Sequence, residues 1–152
     1  MFVCTGNICR SPMAHAVMQH KVSERNLDSV IEIESSGTTA FHIGEDIDPR
    51  AQKELRRNAI TFDHSARDLT ANDLQNYDLI LTMDRSNYRE VMRMAKGPVK
   101  EKVRMFRDFD PAGSGEVPDP YYGGKNGFRS VYEMIDRTTD AILDYAISEE
   151  TA

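Results

Sequence analysis

Cys4 and Arg10 are separated by five residues in the run Val3-Cys4-Thr5-Gly6-Asn7-Ile8-Cys9-Arg10-Ser11-Pro12. An ionised cysteine is a nucleophile, and an arginine presents a planar fork matched to two oxygens of a phosphate-like group. The run follows an apolar stub, Phe2-Val3, and ends on Ser11-Pro12, which reads as an N-cap followed by proline at the first helical position. A tight loop ending at a helix N-terminus turns backbone N–H groups inward, here those of Thr5, Gly6, Asn7, Ile8 and Cys9, and the helix dipole adds partial positive charge. Gly6 is expected to supply the backbone freedom that such a cradle needs. With Arg10 closing the ring, the predicted site suits a tetrahedral dianion, and Cys4 lies at its base. The helix end and Arg10 favour the thiolate, which would attack a phosphoryl group in line to give a phosphocysteine. The Ser11 hydroxyl is suited to donate to the sulfur and help it leave in a second step. The Asn7 amide is suited to fix the loop from inside. A bare Cys-x5-Arg equally fits a small buried cysteine beside a surface cation; Gly6, Ser11, Pro12 and the flanking elements favour the site.

These residues need a scaffold, and short apolar runs alternating with helical patterns supply one. The first helix is expected from Ser11-Pro12 to about Arg25, burying Ala14, Val17, Met18 and Val22. Val30 to Ser35 alternates isoleucine with glutamate, as a strand open on one side would. Asp48-Pro49 starts a short helix over Ala51 to Asn58, and Thr70 to Asp73 resembles a capping box. Leu79-Ile80-Leu81 reads as a strand covered on both faces. Asp84 caps a helix ending near Gly97-Pro98, and Val103 to Phe106 is a fourth strand. Phe128, Val131, Ile135, Ile142 and Tyr145 line one face of a last helix. Between them, Arg107 to Gly127 lacks periodicity and carries Gly113, Gly115, Gly123, Gly124 and three prolines, so it reads as a long functional loop. Strands alternating with helices predict an α/β fold: a three-layer sandwich with a four-stranded parallel sheet and helices on both faces. Ligands in such sheets bind beyond the carboxyl ends of the strands, where the turn after the first strand holds Cys4 and Cys9.

The chain has 152 residues, 39% hydrophobic and 29% charged, an ordinary globular composition for one domain spanning 1–152. No apolar run approaches the roughly 20 residues of a membrane helix, and no leader pattern opens the chain, so a soluble cytoplasmic protein is expected. Asp and Glu outnumber Lys and Arg by 25 to 19, giving a net charge of −6 that argues against a nucleic-acid surface. Two cysteines, with His15, His20, His42 and His64, show no zinc-ligand pattern, and neither a metal nor another cofactor is expected.

The Cys4 to Pro12 run resembles the signature of the low-molecular-weight protein tyrosine phosphatases. Glu34-Ser35-Ser36-Gly37-Thr38, Met83-Asp84 with Ser86-Asn87, and Asp119-Pro120-Tyr121-Tyr122-Gly123 resemble further segments of that family and spread the match over most of the chain. The resemblance implies hydrolysis of protein phosphotyrosine and small aryl phosphates, with tyrosine-phosphorylated proteins as partners and phosphate, sulfate or vanadate as competing anions. Of the three Asp-Pro pairs, at Asp48, Asp110 and Asp119, the resemblance makes Asp119 the general acid and then the base for water. Asp48 and Asp110 otherwise read as a helix cap and a turn residue. Phe41, Tyr121 and Tyr122 would wall the pocket, although Phe41 and Tyr121 also fit plain core positions. His42 reads either as a rim residue or as an exposed histidine. Ser35 and His64 are implied to join Asn7 in a buried network that supports the loop. Cys9 is either packing or a second thiol able to trap an oxidised Cys4 as a disulfide.

Four rival readings share parts of this pattern. A thioredoxin-linked arsenate reductase of the same fold needs further cysteines, and this chain has Thr82 and no cysteine after Cys9. A protein arginine phosphatase resembles the loop but carries threonine where Ile8 stands and lacks the paired tyrosines. A cysteine phosphocarrier would need neither Arg10 nor Asp119, and an inert phosphate-binding module would not need the full set. Only three residues precede Cys4, against a strand average of about 5–6, so a late start or a short first strand of reduced stability is expected.

Overall fold

The computed structural model describes residues 1–123 and 127–151. Four three-residue strands, β1 (Phe2–Cys4), β2 (Ser35–Gly37), β3 (Ile80–Thr82) and β4 (Val103–Met105), form one parallel sheet in the order β2-β1-β3-β4. Phe2 pairs with Ser35 on one side and Leu81 on the other, so β1 is central. The helices are α1 (Arg10–Glu24), α2 (Pro49–Arg57), α3 (Ala71–Asn76), α4 (Arg85–Met94) and α5 (Gly127–Thr151).

Alternation along β1 divides the core into two layers. Phe2 and Cys4 join Met13, Val17, Leu55 and Ile135 beneath α1, α2 and α5. Val3 points the other way and packs with Leu74, Ile80, Val91 and Val103 beneath α3 and α4. The predicted three-layer α/β arrangement is therefore present. Ala14, Val17, Met18 and Val22 of α1 are all buried, as the 3.6-residue period requires. Each fully buried aliphatic side chain is worth at most about 1.5–3 kcal/mol against an exposed one.

The helix starts follow local chemistry. Asp48 caps α2 by accepting from the Arg50 N–H, Thr70 and Asp73 form a reciprocal capping box on α3, and Asp84 caps α4 by accepting from the Asn87 N–H.

Several boundaries differ from expectation. The second strand lies at Ser35–Gly37 rather than Val30–Ser35, because pairing is set by the register with Phe2 and Cys4 and not by the Ile/Glu alternation upstream. The third strand is Ile80–Thr82, one residue later than the apolar run, and the fourth stops at Met105 as the chain tightens into a 3₁₀ turn over Phe106–Phe109. Helix α4 ends at Met94, and Gly97–Lys102 forms a separate 3₁₀ turn. Ser11 is not the cap of α1: the helix begins at Arg10, Cys9 holds the cap position without a side-chain bond, and the Ser11 hydroxyl is used elsewhere. Phe128, Val131, Ile135 and Ile142 of α5 are buried, but Tyr145 sits at the edge, its ring against Phe109 with the Arg104 guanidinium over it.

Within the described part of the Arg107–Gly127 stretch, Asp110 and Val117 are anchored to the rest of the fold. The Asp110 carboxylate accepts from Arg107 Nε at 2.9 Å, from Arg137 Nε and Nη2 at 2.8 and 3.0 Å, and from the Ala112 N–H at 2.9 Å. Burial opposes its charge, but the hydrogen bonds from Arg137, Ala112 and Arg107 outweigh it and hold its pKa at about 2. Val117 is fully buried and its N–H donates to the Met83 carbonyl at 2.7 Å. Gly124, counted in the loop from the sequence, lies outside the described residues.

Candidate active site

The loop between β1 and α1 is held by Asn7, whose backbone is left-handed at φ 56°. Asparagine tolerates this region better than most residues because its short polar side chain can bond locally. Here the fully buried amide donates to Ser11 Oγ at 2.8 Å and to Ser35 Oγ at 3.1 Å, and its oxygen accepts from the Arg67 N–H at 3.0 Å. His64 Nε2 lies 2.7 Å from the Asn7 carbonyl, and since a carbonyl only accepts, this nitrogen carries the hydrogen. Burial lowers the His64 pKa. The structure thus brings Ser35 and His64 to Asn7. It adds His15, whose Nδ1 is 3.1 Å from Ser35 Oγ and whose pKa is lowered to about 4, chiefly by burial and then by His64.

Two glycines matter for reasons of space. Gly6 is not in the left-handed region, and what it supplies is space: a Cβ there would sit 2.8 Å from Cδ2 of His42. Gly37, the last residue of β2, is the tighter case, since its Cβ would meet the Thr5 carbonyl oxygen at 2.7 Å. That close approach lets the Thr38 and Thr39 N–H groups bond the carbonyls of Cys4 and Thr5 at 2.9 and 3.0 Å. Among the described residues, the N–H groups of Gly6, Asn7, Ile8 and Cys9 have no protein acceptor, which leaves them available to an anion.

Cys4 Sγ lies 2.9 Å from Ser11 Oγ, and both are buried. Ser11 Oγ is also 3.3 Å from the Ser36 carbonyl. Arg10 is 2% exposed, and its Nη1 donates to Asp84 at 2.7 Å and to the Val117 carbonyl at 3.0 Å. Its Nη2 reaches Thr5 Oγ1 and Asp119 Oδ2, each at 3.4 Å. Burial disfavours its charge, but Cys4, Asp84 and Asp119 more than compensate and raise its pKa. Asp119 is 38% exposed at its side chain and accepts from the Tyr121 N–H at 3.0 Å, so its carboxylate faces both Arg10 and solvent.

These groups converge on a pocket of about 450 Å³ that Ile8, Cys9, Thr39, Phe41, His42, Glu45, Tyr121 and Tyr122 also line. Phe41 and Tyr122 are 86% and 88% exposed, so Phe41 is not a core residue; both rings stand at the mouth, that of Tyr122 edge-on to Tyr121 with centroids 4.9 Å apart. His42 bonds Glu45 at 2.8 Å on the rim. Cys9 is buried, and burial followed by the charge of Asp48 pushes its thiol pKa up. A larger hollow of about 540 Å³ lies away from this site, lined by Met18, Ile31, Tyr77 and Ile142 among others.

Besides His15, sequence reasoning missed the parts played by Asp84 and Asn87. Asp84 was legible only as a cap, yet one oxygen caps α4 while the other holds Arg10. Asn87 was legible only as part of a helix start, yet its amide donates to Thr5 Oγ1 at 3.1 Å. The dual use of a capping carboxylate leaves no mark in sequence, because it depends on β3 lying beside β1. Chemically, the pocket sets a sulfur, a guanidinium with free amides, and a carboxylate around one point, with aromatic surface leading in.

Residues 1–152 match the family model for low molecular weight phosphotyrosine protein phosphatases. A low molecular weight protein-tyrosine-phosphatase of Streptomyces coelicolor is 40% identical over 148 residues, covering 93% of this chain and 89% of that protein. The crystal structure of a protein tyrosine phosphatase from Entamoeba histolytica, with Hepes in its active site, superposes with a TM-score of 0.92 at 34% identity, covering 99% of this chain and 97% of that one. A Drosophila arginine phosphatase superposes with a TM-score of 0.87 at 31% identity, covering 95% of this chain and 94% of that one. The chain belongs to the low molecular weight phosphotyrosine protein phosphatase family.

Proposed function

We infer that this protein, as one domain, hydrolyses aryl phosphate monoesters, with protein phosphotyrosine as its substrate class. The observation that carries the reading is the convergence of Cys4, Arg10 and Asp119 on one pocket walled by Phe41, Tyr121 and Tyr122. The loop amides and Arg10 would hold three phosphoryl oxygens. Cys4 Sγ attacks phosphorus, the bond to the phenolic oxygen breaks, and Asp119 gives that oxygen its proton. In the second step Asp119 takes a proton from water, the water oxygen attacks phosphorus, and the sulfur leaves with the Ser11 hydroxyl donating to it. A tyrosyl leaving group has a pKa of about 10, so the proton from Asp119 is worth about 10²–10⁴ in rate.

Exposed aromatic walls favour an aryl group over the alkyl chain of phosphoserine, and Ile8 with the paired tyrosines favours it over phosphoarginine. The second thiol, Cys9, is read as a redox partner of Cys4, and the site is read as acting in the cytoplasm. The test is a burst of para-nitrophenol from para-nitrophenyl phosphate. A burst that survives chelator and vanishes in Cys4→Ser is expected, with phosphotyrosine peptides turned over far faster than phosphoarginine peptides. Absence of both burst and turnover in the unmodified protein would overturn the reading, and preference for phosphoarginine would overturn its substrate class.

A further inference from the structure

Arg50 takes part in none of the chemistry above, yet it joins three elements at the edge of the site. It is the second residue of α2. Its Nε and Nη2 donate to the Asp48 carboxylate at 3.0 and 2.9 Å, and its Nη1 donates to the Tyr121 carbonyl at 3.1 Å. The guanidinium carbon lies 5.2 Å from the centre of the Tyr121 ring and 4.7 Å from that of Phe128, in the first turn of α5. Only a planar fork can make the paired bond to Asp48 and stack on rings at once, so lysine is no substitute.

The other end of the connection is the phosphate loop. The Asp48 N–H donates to the Ile8 carbonyl at 2.8 Å. The acid turn is tied to Arg50 in sequence: Tyr121 offers its carbonyl to Arg50 and its N–H to Asp119 at 3.0 Å. Among the described residues, the hydrogen bonds that reach Asp119–Gly123 from outside that turn come from Arg10 and Arg50 alone. The Arg10 contact, at 3.4 Å, is the longer of the two. The two loops that must meet across a substrate are therefore strapped together through Ile8, Asp48, Arg50 and Tyr121.

We propose that Arg50 is a positioning residue for Asp119: by fixing the Tyr121 carbonyl and ring it holds the acid turn at a set distance from the phosphate loop. This rests on Asp119 being the general acid, as inferred above. A displacement of the acid by about 1 Å is enough to cost on the order of 10²-fold where proton transfer matters and little where it does not.

The test compares kcat/KM for phenyl phosphate, whose leaving oxygen needs a proton, with that for 2,4-dinitrophenyl phosphate, whose leaving oxygen does not. Arg50→Ala and Arg50→Lys are both made, and circular dichroism selects whichever folds. The expected result is a loss of about 10–100-fold on phenyl phosphate, a change within about 3-fold on the dinitrophenyl ester, and unchanged inhibition by vanadate. In an Asp119→Asn background the Arg50 substitution is expected to add no further loss on phenyl phosphate. Equal losses on both esters, weakened vanadate inhibition, additive losses in the double variant, or no loss at all would each overturn the proposal. If Asp119→Asn alone loses nothing on phenyl phosphate, the acid assignment itself falls, an outcome separate from failure of Arg50 alone.

Discussion

Replacing Asn7 tests whether the phosphate loop is held by its buried network. In Asn7→Ala three hydrogen bonds are lost, to Ser11 and Ser35 and from the Arg67 N–H, at 2.8, 3.1 and 3.0 Å. At about 0.5–1.5 kcal/mol net for each, these amount to about 2–4 kcal/mol. Alanine at φ 56° adds about 1 kcal/mol of backbone strain that glycine does not. The expected losses are therefore about 3–5 kcal/mol for Asn7→Ala and about 2–4 kcal/mol for Asn7→Gly. Urea denaturation measures both, with the slope checked to be unchanged so that midpoints report stability. At a temperature where both variants stay folded, kcat/KM for para-nitrophenyl phosphate is expected to fall about 10–100-fold, since the donors aimed at the anion lose their fixed geometry. If both variants lose less than about 1 kcal/mol, the network does not hold the loop. If alanine proves no worse than glycine, the strain at this position has been misread.

Two further outcomes follow from groups near the site. The His15 pKa falls from 6.5 to about 4 on folding, so between these values the unfolded chain holds a proton that the folded chain lacks. Stability is therefore full above about pH 6.5 and is lost as pH falls toward 4, by up to about 3 kcal/mol; in His15→Asn, which keeps a polar group near Ser35, urea midpoints are expected to flatten over this window, and an unchanged slope refutes the assignment. Peroxide should convert Cys4 to a sulfenic acid with release of water, and Cys9 Sγ should then displace the hydroxyl as water to close a disulfide. Wild type is expected to regain activity with dithiothreitol after peroxide while Cys9→Ser does not, and equal recovery defeats the redox reading.

Much of the scaffold was legible because local chemistry and tertiary packing agree. Asp48-Pro49, the Thr70 box and Asp84 start helices where their side chains dictate, and the stripe on α5 is buried except at its far end. Reading failed where long-range pairing overrides local pattern. The Ile31–Ile33 alternation looks like a strand, but β1 is in register with Ser35, Ser36 and Gly37, which carry little strand signal of their own. Ser11 looks like a cap because serine usually bonds the nearest free N–H; here Cys4, Asn7 and the Ser36 carbonyl compete for it and win. Asp110 reads as an ordinary turn residue because Arg137, which makes it an anchor, is far away in sequence. The loop with Cys4 and Arg10 was legible because one stretch of chain holds nearly all of it. The parts that steady it, Asp84, Asn87, His15 and Gly37, come from other elements.

The position of Ser11 carries a consequence for how little the site must change during reaction. Its oxygen accepts from Asn7 and has a single hydrogen to give, with Cys4 Sγ at 2.9 Å and the Ser36 carbonyl at 3.3 Å as the two takers. While the sulfur carries its own hydrogen, that hydrogen points at Ser11, and the serine hydrogen goes to Ser36. Once the sulfur is ionised, the serine hydrogen swings across to it. The exchange needs only a rotation about the Ser11 Cβ–Oγ bond, since both takers already lie within reach. The hydroxyl is a rotor that follows the charge on the sulfur, so the solvation that bulk water would supply by reorienting many molecules is delivered here by turning one O–H bond.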